Sequence, residues 1–567
     1  MKTIFTNGLI VRGSGKAQSE PVSCCMIVED DKIAYIGDEH DEAIALAKQE
    51  SDVETVDLEQ RTVIPGFIDG HMHLLLFGAS LSKIDLSHCR NLADIRATIQ
   101  QAAQERPHAQ RLFCRGWMHS MTDGQALASM LDDLDPRPIF IDSKDLHSAW
   151  CNRAALAELQ VADTPDPAGG TIHRDAAGAP SGLLSEAAAV NLVWPHVAAV
   201  ASAEEKREFV RAAVRAYNAA GYTGVVEMAM DENAWSTLLE LRAREPLPLR
   251  IAAHWIITPA ATVDACLAQV DRAIALHAVH NARTSPDFRI AGIKVICDGV
   301  VDACTAALLQ PYASGASEAG AEAGAGVNCA PLWPAEMLRA VVARADAAGL
   351  QCALHAIGDA TVRLAIDTLE AVGTRGRRHR IEHLELTAAD DAARLGALGI
   401  TASVQPVHAD PAILRAWPRL LGEERCARAF AYAEFVRPKE ATTQAQGQGQ
   451  RQAQPPPPPA PLAIGTDAPT APHLPLRNLY TATTRRSARE PASLETVNPH
   501  FRLSLLEAVT AATAGSAYSC FADGFTGSLE AGKKADFAVV DMAWEAERLL
   551  DASVYATYFD GRRVYSR

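Results

Sequence analysis

Eight short apolar runs punctuate the middle of this chain, at Val63–Phe67, Gly224–Met228, Leu249–Trp255, Ile290–Ile296, Gln351–His355, Arg380–His383, Thr401–Gln405 and Leu462–Thr466. Between them lie longer Ala- and Leu-rich stretches whose apolar residues recur three and four apart, the period of a helix with one buried face. A buried strand followed by a helix has to return before the next strand begins, so repeated βα units build a parallel sheet covered by helices. Eight units close on themselves, and the expected α/β architecture is a TIM-like (β/α)8 barrel. Roughly 150 residues separate the first two runs, far more than a βα connection needs. Residues of about 75–210 are therefore expected to form a subdomain inserted after barrel strand one.

Both ends of the chain are written in a different style. Residues 1–62 hold short alternating segments (Thr3–Val11, Cys25–Glu29, Lys32–Gly37) broken by Gly and Asp. Residues 515–567 repeat that style, with Asp560-Gly561 as a hairpin signal. Neither end buries enough surface alone, so one composite β-sandwich is expected from 1–62 plus 515–567, with the barrel over 63–514. Gln444–Pro458, a Gln-rich tract closing on five prolines, cannot build a packed core and is expected to be a disordered loop before strand eight, without catalytic role. Ser314–Gly326, rich in Gly, Ala and Glu, follows the fourth run and is either a lid or simple loop slack.

Charge narrows the function classes. A net charge of −16 gives no electrostatic preference for nucleic acid or for an anionic membrane. Twelve scattered cysteines without Cys-x-x-Cys spacing read as reduced thiols. No apolar run reaches 18 residues and the N-terminal segment lacks a signal-peptide core, so the expected compartment is the cytoplasm.

Barrel enzymes place their chemistry at the C-terminal ends of the strands. The first run leads into Asp69-Gly-His-Met-His73, and alternation puts His71 and His73 on one face. With 18 histidines in 567 residues, chance alone supplies about 0.6 such pairs, so the pair needs company. It has company. Lys294 sits inside the fourth run, where a buried amine must be paired or neutralised; a partner at Asp298 or Asp302 is one solution and a carbamate bridging two metals is another. His355, His383 and Asp467 end three further runs. Each alone is more often structural, but six metal-compatible donors at five strand ends read together as a metal centre.

Several longer stretches carry a family resemblance. They include Pro65–His73, Asp145–Trp150, Gly169–Asp175 with Pro180–Glu186, Ile293–Gly299, His355–Asp359, Arg380–His383, Gln405–His408, Gly465–Pro469 and Leu529–Asp536. With them the chain resembles the amidohydrolase superfamily, in particular its YtcJ-like branch, which includes N-substituted formamide deformylases. The resemblance implies one or two divalent ions, expected to be zinc, held by His71, His73, a carboxylated Lys294, His355, His383 and Asp467, with carbon dioxide consumed in forming the carbamate. The chain departs from the usual pattern at Asp145-Leu-His147, where Asp-Gly-His is usual, and at Glu227, where Asp is common. Both departures bear on the substrate rather than on the metal.

Such a site acidifies water for hydrolysis, with Asp467 taking the proton and delivering it to the leaving amine, and His383 assisting at the oxyanion. His147 and Glu186 are candidates to contact substrate, and Trp117, with Trp150, to line an apolar pocket. The expected substrate is a small N-acyl or N-formyl amine, cleaved at a non-peptide C–N bond. A cyclic amide or an ester cut by the same centre is the second reading, and a catalytically silent binding or regulatory barrel the third. No nucleic-acid or membrane partner is expected, and a homodimer is carried as an expectation.

Overall fold

Eight strands lie side by side in one parallel sheet, in chain order: Phe67–Met72, Tyr222–Met230, Arg250–Ile257, Phe288–Ile296, Gln351–Ala356, Arg380–His383, Thr401–Val404 and Leu462–Ile464. The computed structural model describes residues 2–13, 22–144, 148–167, 170–186, 188–302, 304–313, 328–438 and 457–567. The first and last strands meet: His71 O accepts from Asp467 N at 2.7 Å, and His73 N donates to Ala468 O at 2.9 Å. That contact brings the ring round to closure. The strands are buried almost throughout and are rich in Val, Ile and Ala, as a sheet covered on both faces requires. Helices return the chain between strands, among them Val263–Val279, Ala335–Ala347, Asp359–Val372 and Ala389–Leu398. The first of these is capped by Thr262, whose side chain accepts from Ala265 N; the last ends on Gly399 at φ +68, a left-handed turn that glycine adopts without penalty.

The runs expected from residue 224 onward coincide with strands two to eight. The first run does not. Thr62–Pro65 pairs antiparallel with Phe537–Asp541 in a different sheet, and the barrel strand begins only at Phe67. The reason lies at Pro65-Gly66: proline cannot donate to a sheet ladder, and a Cβ on Gly66 would collide with the Thr223 side chain. The boundary expected at residue 515 also moves. Ala517, Cys520 and Ala522 pack against Ile68, Val226, Met228, Ala252, Ala291 and Ala353. They fill the barrel where Ala252, Ala291 and Ala353 on strands three, four and five leave room.

The chain divides into two compact units, Met1–His73 with Val214–Glu232 and Glu245–Arg567, and Leu74–Ala213 with Asn233–Arg244. Besides the barrel, the first unit contains an eight-stranded sheet made by both ends of the chain. Its order is Arg562–Ser566, Ser553–Phe559, Phe537–Asp541, Thr62–Pro65, Lys2–Ile10, Val22–Glu29 and Lys32–Gly37, with Val53–Asp57 also pairing to Lys2–Ile10. Asp560 and Gly561, at φ +50 and +72, make the hairpin turn. The second unit holds a six-stranded sheet with Trp117 and Trp150 in its core, ring centroids 5.3 Å apart. All twelve cysteines are free thiols. Among the described residues no helix is long and apolar enough to cross a membrane. Ser314–Gly326, and all but the last two residues of Gln444–Pro458, lie outside the described residues.

Candidate metal centre

Strand one carries Asp69, His71 and then His73 on one face, and each has a separate task. Asp69 is buried and works on the backbone. Its Oδ1 accepts from Thr466 N at 2.9 Å and His71 N at 3.2 Å, and its Oδ2 from Thr466 Oγ1 at 2.5 Å and Tyr217 Oη at 3.0 Å. Burial raises this carboxyl to about 6 despite those donors. The clamp joins strand one to the end of strand eight. Gly465 makes the approach feasible, since a Cβ there would lie 2.7 Å from His71 Cβ and overlap its backbone nitrogen.

The clamp presents Asp467 to the two histidines. Asp467 Oδ1 lies 3.0 Å from His73 Nε2 and 3.4 Å from His71 Nε2. Lys294 Nζ, buried in strand four, is 3.4 Å from His71 Nε2. The His383 ring lies 4.9 Å from that of His71 and 4.4 Å from that of His355. His383 and Asp467 both have left-handed backbone, φ +76 and +59, a conformation uncommon for non-glycine residues. At strand six the twist has a use. Alternation would send Glu382 and His383 to opposite faces, yet both reach His71.

Two sets of donors converge. The ligand atoms of His71, His73 and Asp467 all lie within 4.8 Å of one another, and so do those of His383, His408 and Asp467. Burial holds the His71 imidazole down to about 4 and those of His355 and His383 further below their ordinary value, so they stay neutral, the form that binds metal. For Asp467 burial acts upward, but His71, His73 and His383 together hold the carboxyl well below the usual range. Burial lowers the Lys294 amine too. Among the described residues Nδ1 of His383 is buried without a hydrogen-bond partner. Neutral imidazoles, an ionised carboxylate and an orphaned buried nitrogen fit a divalent cation of the zinc type.

A polar layer lies beneath. Glu382 Oε2 is 2.8 Å from His71 Nδ1, and Arg380 Nε donates to Glu382 Oε1 at 2.8 Å. Arg380 also donates to Gly70 O at 2.6 Å, Ser403 Oγ at 2.7 Å and Ser519 Oγ at 2.9 Å. Glu385 Oε1 meets His408 Nδ1 at 3.1 Å. Asp298 accepts from the amides of Gly358, Ile357 and Ala307 at 2.9–3.1 Å and lies 3.5 Å from His355 Nε2. Asp302 accepts from the Trp417 indole. Asp298 and Asp302, the partners expected for Lys294, are thus engaged elsewhere, and among the described residues the hydrogen-bond neighbour of Nζ is His71.

His71, His73, Lys294, His355, His383 and Asp467 are therefore gathered in one place. Of the substrate-contact candidates, His147 and the side chain of Glu186 lie outside the described residues. Trp117 is fully buried in the core of the second unit, its indole donating to Thr122 Oγ1 at 3.3 Å. Its position is that of a packing residue. Sequence reasoning missed Glu382, Arg380, Asp69, Glu385 and His408. Charged Arg380 and Glu382 inside an apolar run were the available signal, since such groups stay buried only when paired.

A family model described as "Amidohydrolase family" matches residues 54–437 and 458–565. Protein LONG AFTER FAR-RED 3 of Arabidopsis thaliana is 30% identical over 529 residues, covering 90% of this chain and 83% of that protein. Putative amidohydrolase YtcJ of Bacillus subtilis (strain 168) is 26% identical, covering 91% of each. N-substituted formamide deformylase of Arthrobacter pascens is 23% identical, covering 99% of this chain and 98% of that protein. In fold, the chain is similar to the crystal structure of an uncharacterized metal-dependent hydrolase from Pyrococcus horikoshii OT3, with TM-score 0.75 and 23% identity over 96% of this chain and 99% of that one.

Proposed function

Because this chain belongs to the amidohydrolase family, hydrolases of carbon–nitrogen bonds, we propose that it cleaves a small N-acyl or N-formyl amine at a non-peptide amide bond. One observation carries the reading: His71, His73 and Asp467 converge on one point at the C-terminal mouth of the barrel. The similarity to an N-substituted formamide deformylase over nearly the full length of both chains supports the substrate class.

His71, His73 and Asp467 would hold the ion, with Lys294, His355 and His383 in the surrounding shell. When bound, a divalent ion supplies an acidified water and positive charge opposite a developing oxyanion. Asp467, kept ionised, takes the proton from the attacking water and returns it to the leaving amine nitrogen. His383 assists at the oxyanion side. Glu382 fixes the His71 tautomer by accepting from Nδ1, leaving Nε2 as the donor. Burial lowers the Lys294 amine toward the neutral form that reacts with carbon dioxide, and we propose the carbamate as part of the loaded site.

The test is metal analysis of protein prepared with bicarbonate, followed by a screen of N-formyl and N-acyl amines with the loaded protein. We expect stoichiometric zinc and amine release. Absence of stoichiometric metal refutes the reading, and hydrolysis confined to cyclic amides or esters refutes the substrate class.

A further inference from the structure

Strand seven brings an unpaired carboxamide into the mouth of the barrel. Ser403 points inward, where its Oγ accepts at 2.7 Å from the same Arg380 Nη2 that donates to Glu382. Gln405 has extended backbone, φ −122 and ψ 89, so alternation puts its side chain on that same face, about 7 Å nearer the mouth. It is 1% exposed, and neither its Oε1 nor its Nε2 has a hydrogen-bond partner among the described residues. An unpaired buried carboxamide is costly at both ends, so its place here calls for a partner that the chain itself does not supply.

The main chain around Gln405 is held firmly. Val404 O accepts from Gly465 N at 2.9 Å, two positions before Asp467. Gln405 O accepts from His408 N at 2.9 Å and from Tyr432 Oη at 3.4 Å, and Pro406 keeps Gln405 extended. Neighbouring polar groups are already engaged. Asn478 accepts from Val407 N and donates to Gly465 O, both at 2.8 Å, and Glu385 Oε1 meets His408 Nδ1 at 3.1 Å. Gln405 is thus a fixed donor and acceptor at the level of Asp467, the residue that handles the proton.

Amides and esters share a carbonyl and differ at the leaving atom: a secondary amide nitrogen carries a hydrogen, an ester oxygen only lone pairs. We infer that Gln405 is a specificity-determining residue whose Oε1 accepts the N–H of the scissile bond, so that the favoured substrate is a secondary amide over an ester of the same shape. The contact fixes the direction of the nitrogen lone pair, which Asp467 protonates as the C–N bond breaks and the amine leaves. An ester oxygen would set lone pair against lone pair and leave the carboxamide unpaired, a penalty that sorts substrates by chemistry and not by size. The inference rests on the amide-cleaving reading above and deepens it by naming the atom that is read.

The experiment compares an amide with its ester twin, N-butylformamide with butyl formate, or N-butylacetamide with butyl acetate if the acetyl series is the one cut. Full-length, metal-loaded wild type and Gln405→Met are assayed for kcat/KM on both, for metal per chain and for the urea midpoint. In Gln405→Met, kcat/KM for the amide is expected to fall about 10–100-fold while that for the ester holds. Metal content should not change, and the urea midpoint should stay or rise, because an unpaired buried amide gives way to an apolar chain of like size. Equal losses on both substrates would mark a structural role and overturn the inference, as would no loss on the amide. If Gln405→Met fails to fold, wild type decides with N-butyl-N-methylformamide or its acetyl counterpart, which lacks the N–H: a rate at least about 10-fold lower supports the inference, and parity overturns it. A wild type that releases amine from no N-formyl or N-acyl amine would bring down the substrate class itself, and this inference with it.

Discussion

Glu382 Oε2 lies 2.8 Å from His71 Nδ1 and accepts from Arg380 Nη2 at 3.0 Å, so one carboxylate oxygen is shared between an imidazole of the candidate metal centre and a buried guanidinium. Arg380 and Glu382 are both inaccessible to solvent. The Glu382 carboxyl is held well below its usual range: burial acts upward, but Arg380 and His71 outweigh it. Two charges in the barrel interior tolerate burial only as a pair, and the pair spends its remaining acceptor on the imidazole.

Glu382→Gln should keep the fold and lower zinc affinity at the His71 site by about 10–100-fold, the usual cost of losing a carboxylate behind a ligand. Both variants leave Arg380 without its counter-charge, at a cost of about 3–5 kcal/mol of stability, and Glu382→Ala also removes the hydrogen-bond acceptor. Chelator competition and urea unfolding read the two effects separately. Unchanged zinc affinity in both variants would remove Glu382 from the orienting role.

Asp467→Asn keeps one carbonyl oxygen yet cannot accept a proton. Turnover of an N-formyl or N-acyl amine should fall by about 10²–10⁴-fold while zinc at His71 and His73 is retained. Rate and zinc content are measured on the same sample. Wild-type turnover in this variant would assign the proton transfers to another group.

Lys294→Ala should release at least one metal ion, and wild type labelled with ¹³C-bicarbonate should show a carbamate carbon by NMR that this variant lacks. A spectrum without that signal at full zinc occupancy would mean that Lys294 serves as an amine.

His254 gives the acid limb of stability a definite shape. It is wholly buried, hydrogen-bonded through Nε2 to Gln351 Oε1 at 2.8 Å, and burial lowers it to about 3. The unfolded chain takes up this proton near pH 6.5, whereas the folded protein refuses it until about pH 3. Between those values the unfolded state binds more protons, so stability is lost as pH falls below about 6.5. From pH 7 to pH 5 this one group should remove about 2 kcal/mol. Urea unfolding of wild type and His254→Gln at both pH values checks it, since the variant should be less pH-dependent by that amount. Parallel pH dependences would refute the assignment.

Gly465→Ala should be costly for its size. The added Cβ meets backbone atoms of His71 that are already pinned by Asp69 and Asp467, so the expected loss is at least about 1–3 kcal/mol, with weakened zinc binding. A variant with wild-type stability and zinc affinity would show that strands one and eight can part.

The parts of the site that were legible in the sequence are those that obey a period or stop a strand. His71 and His73 follow the two-residue alternation, and His355, His383 and Asp467 each close an apolar run. Strand one misled because an unbroken apolar run, Val63–Phe67, crosses from one sheet to another at Pro65-Gly66, and hydrophobicity does not record the change of partner. His408 stayed hidden for another reason. It stands in a short turn after strand seven, where no periodicity specifies direction, and its meaning comes from Glu385 and Asp467, residues 23 and 59 positions away. Glu382 and Arg380 were visible as charges in an apolar strand, but their partners His71 and Ser519 lie in distant parts of the chain.

The junction of strand one with strand eight also bears on how the protein is made. His73 and Asp467 are 394 residues apart, and Thr62–Pro65 waits for Phe537–Asp541 before its neighbouring edge is covered. A chain still emerging from the ribosome therefore exposes the edge of strand one, with His71 and His73 already displayed, through most of its synthesis. No complete metal pocket exists during that interval. Metal capture and the onset of hydrolysis belong to the last stage of biogenesis, and a product truncated before residue 467 should be a client of chaperones and proteases, without partial activity.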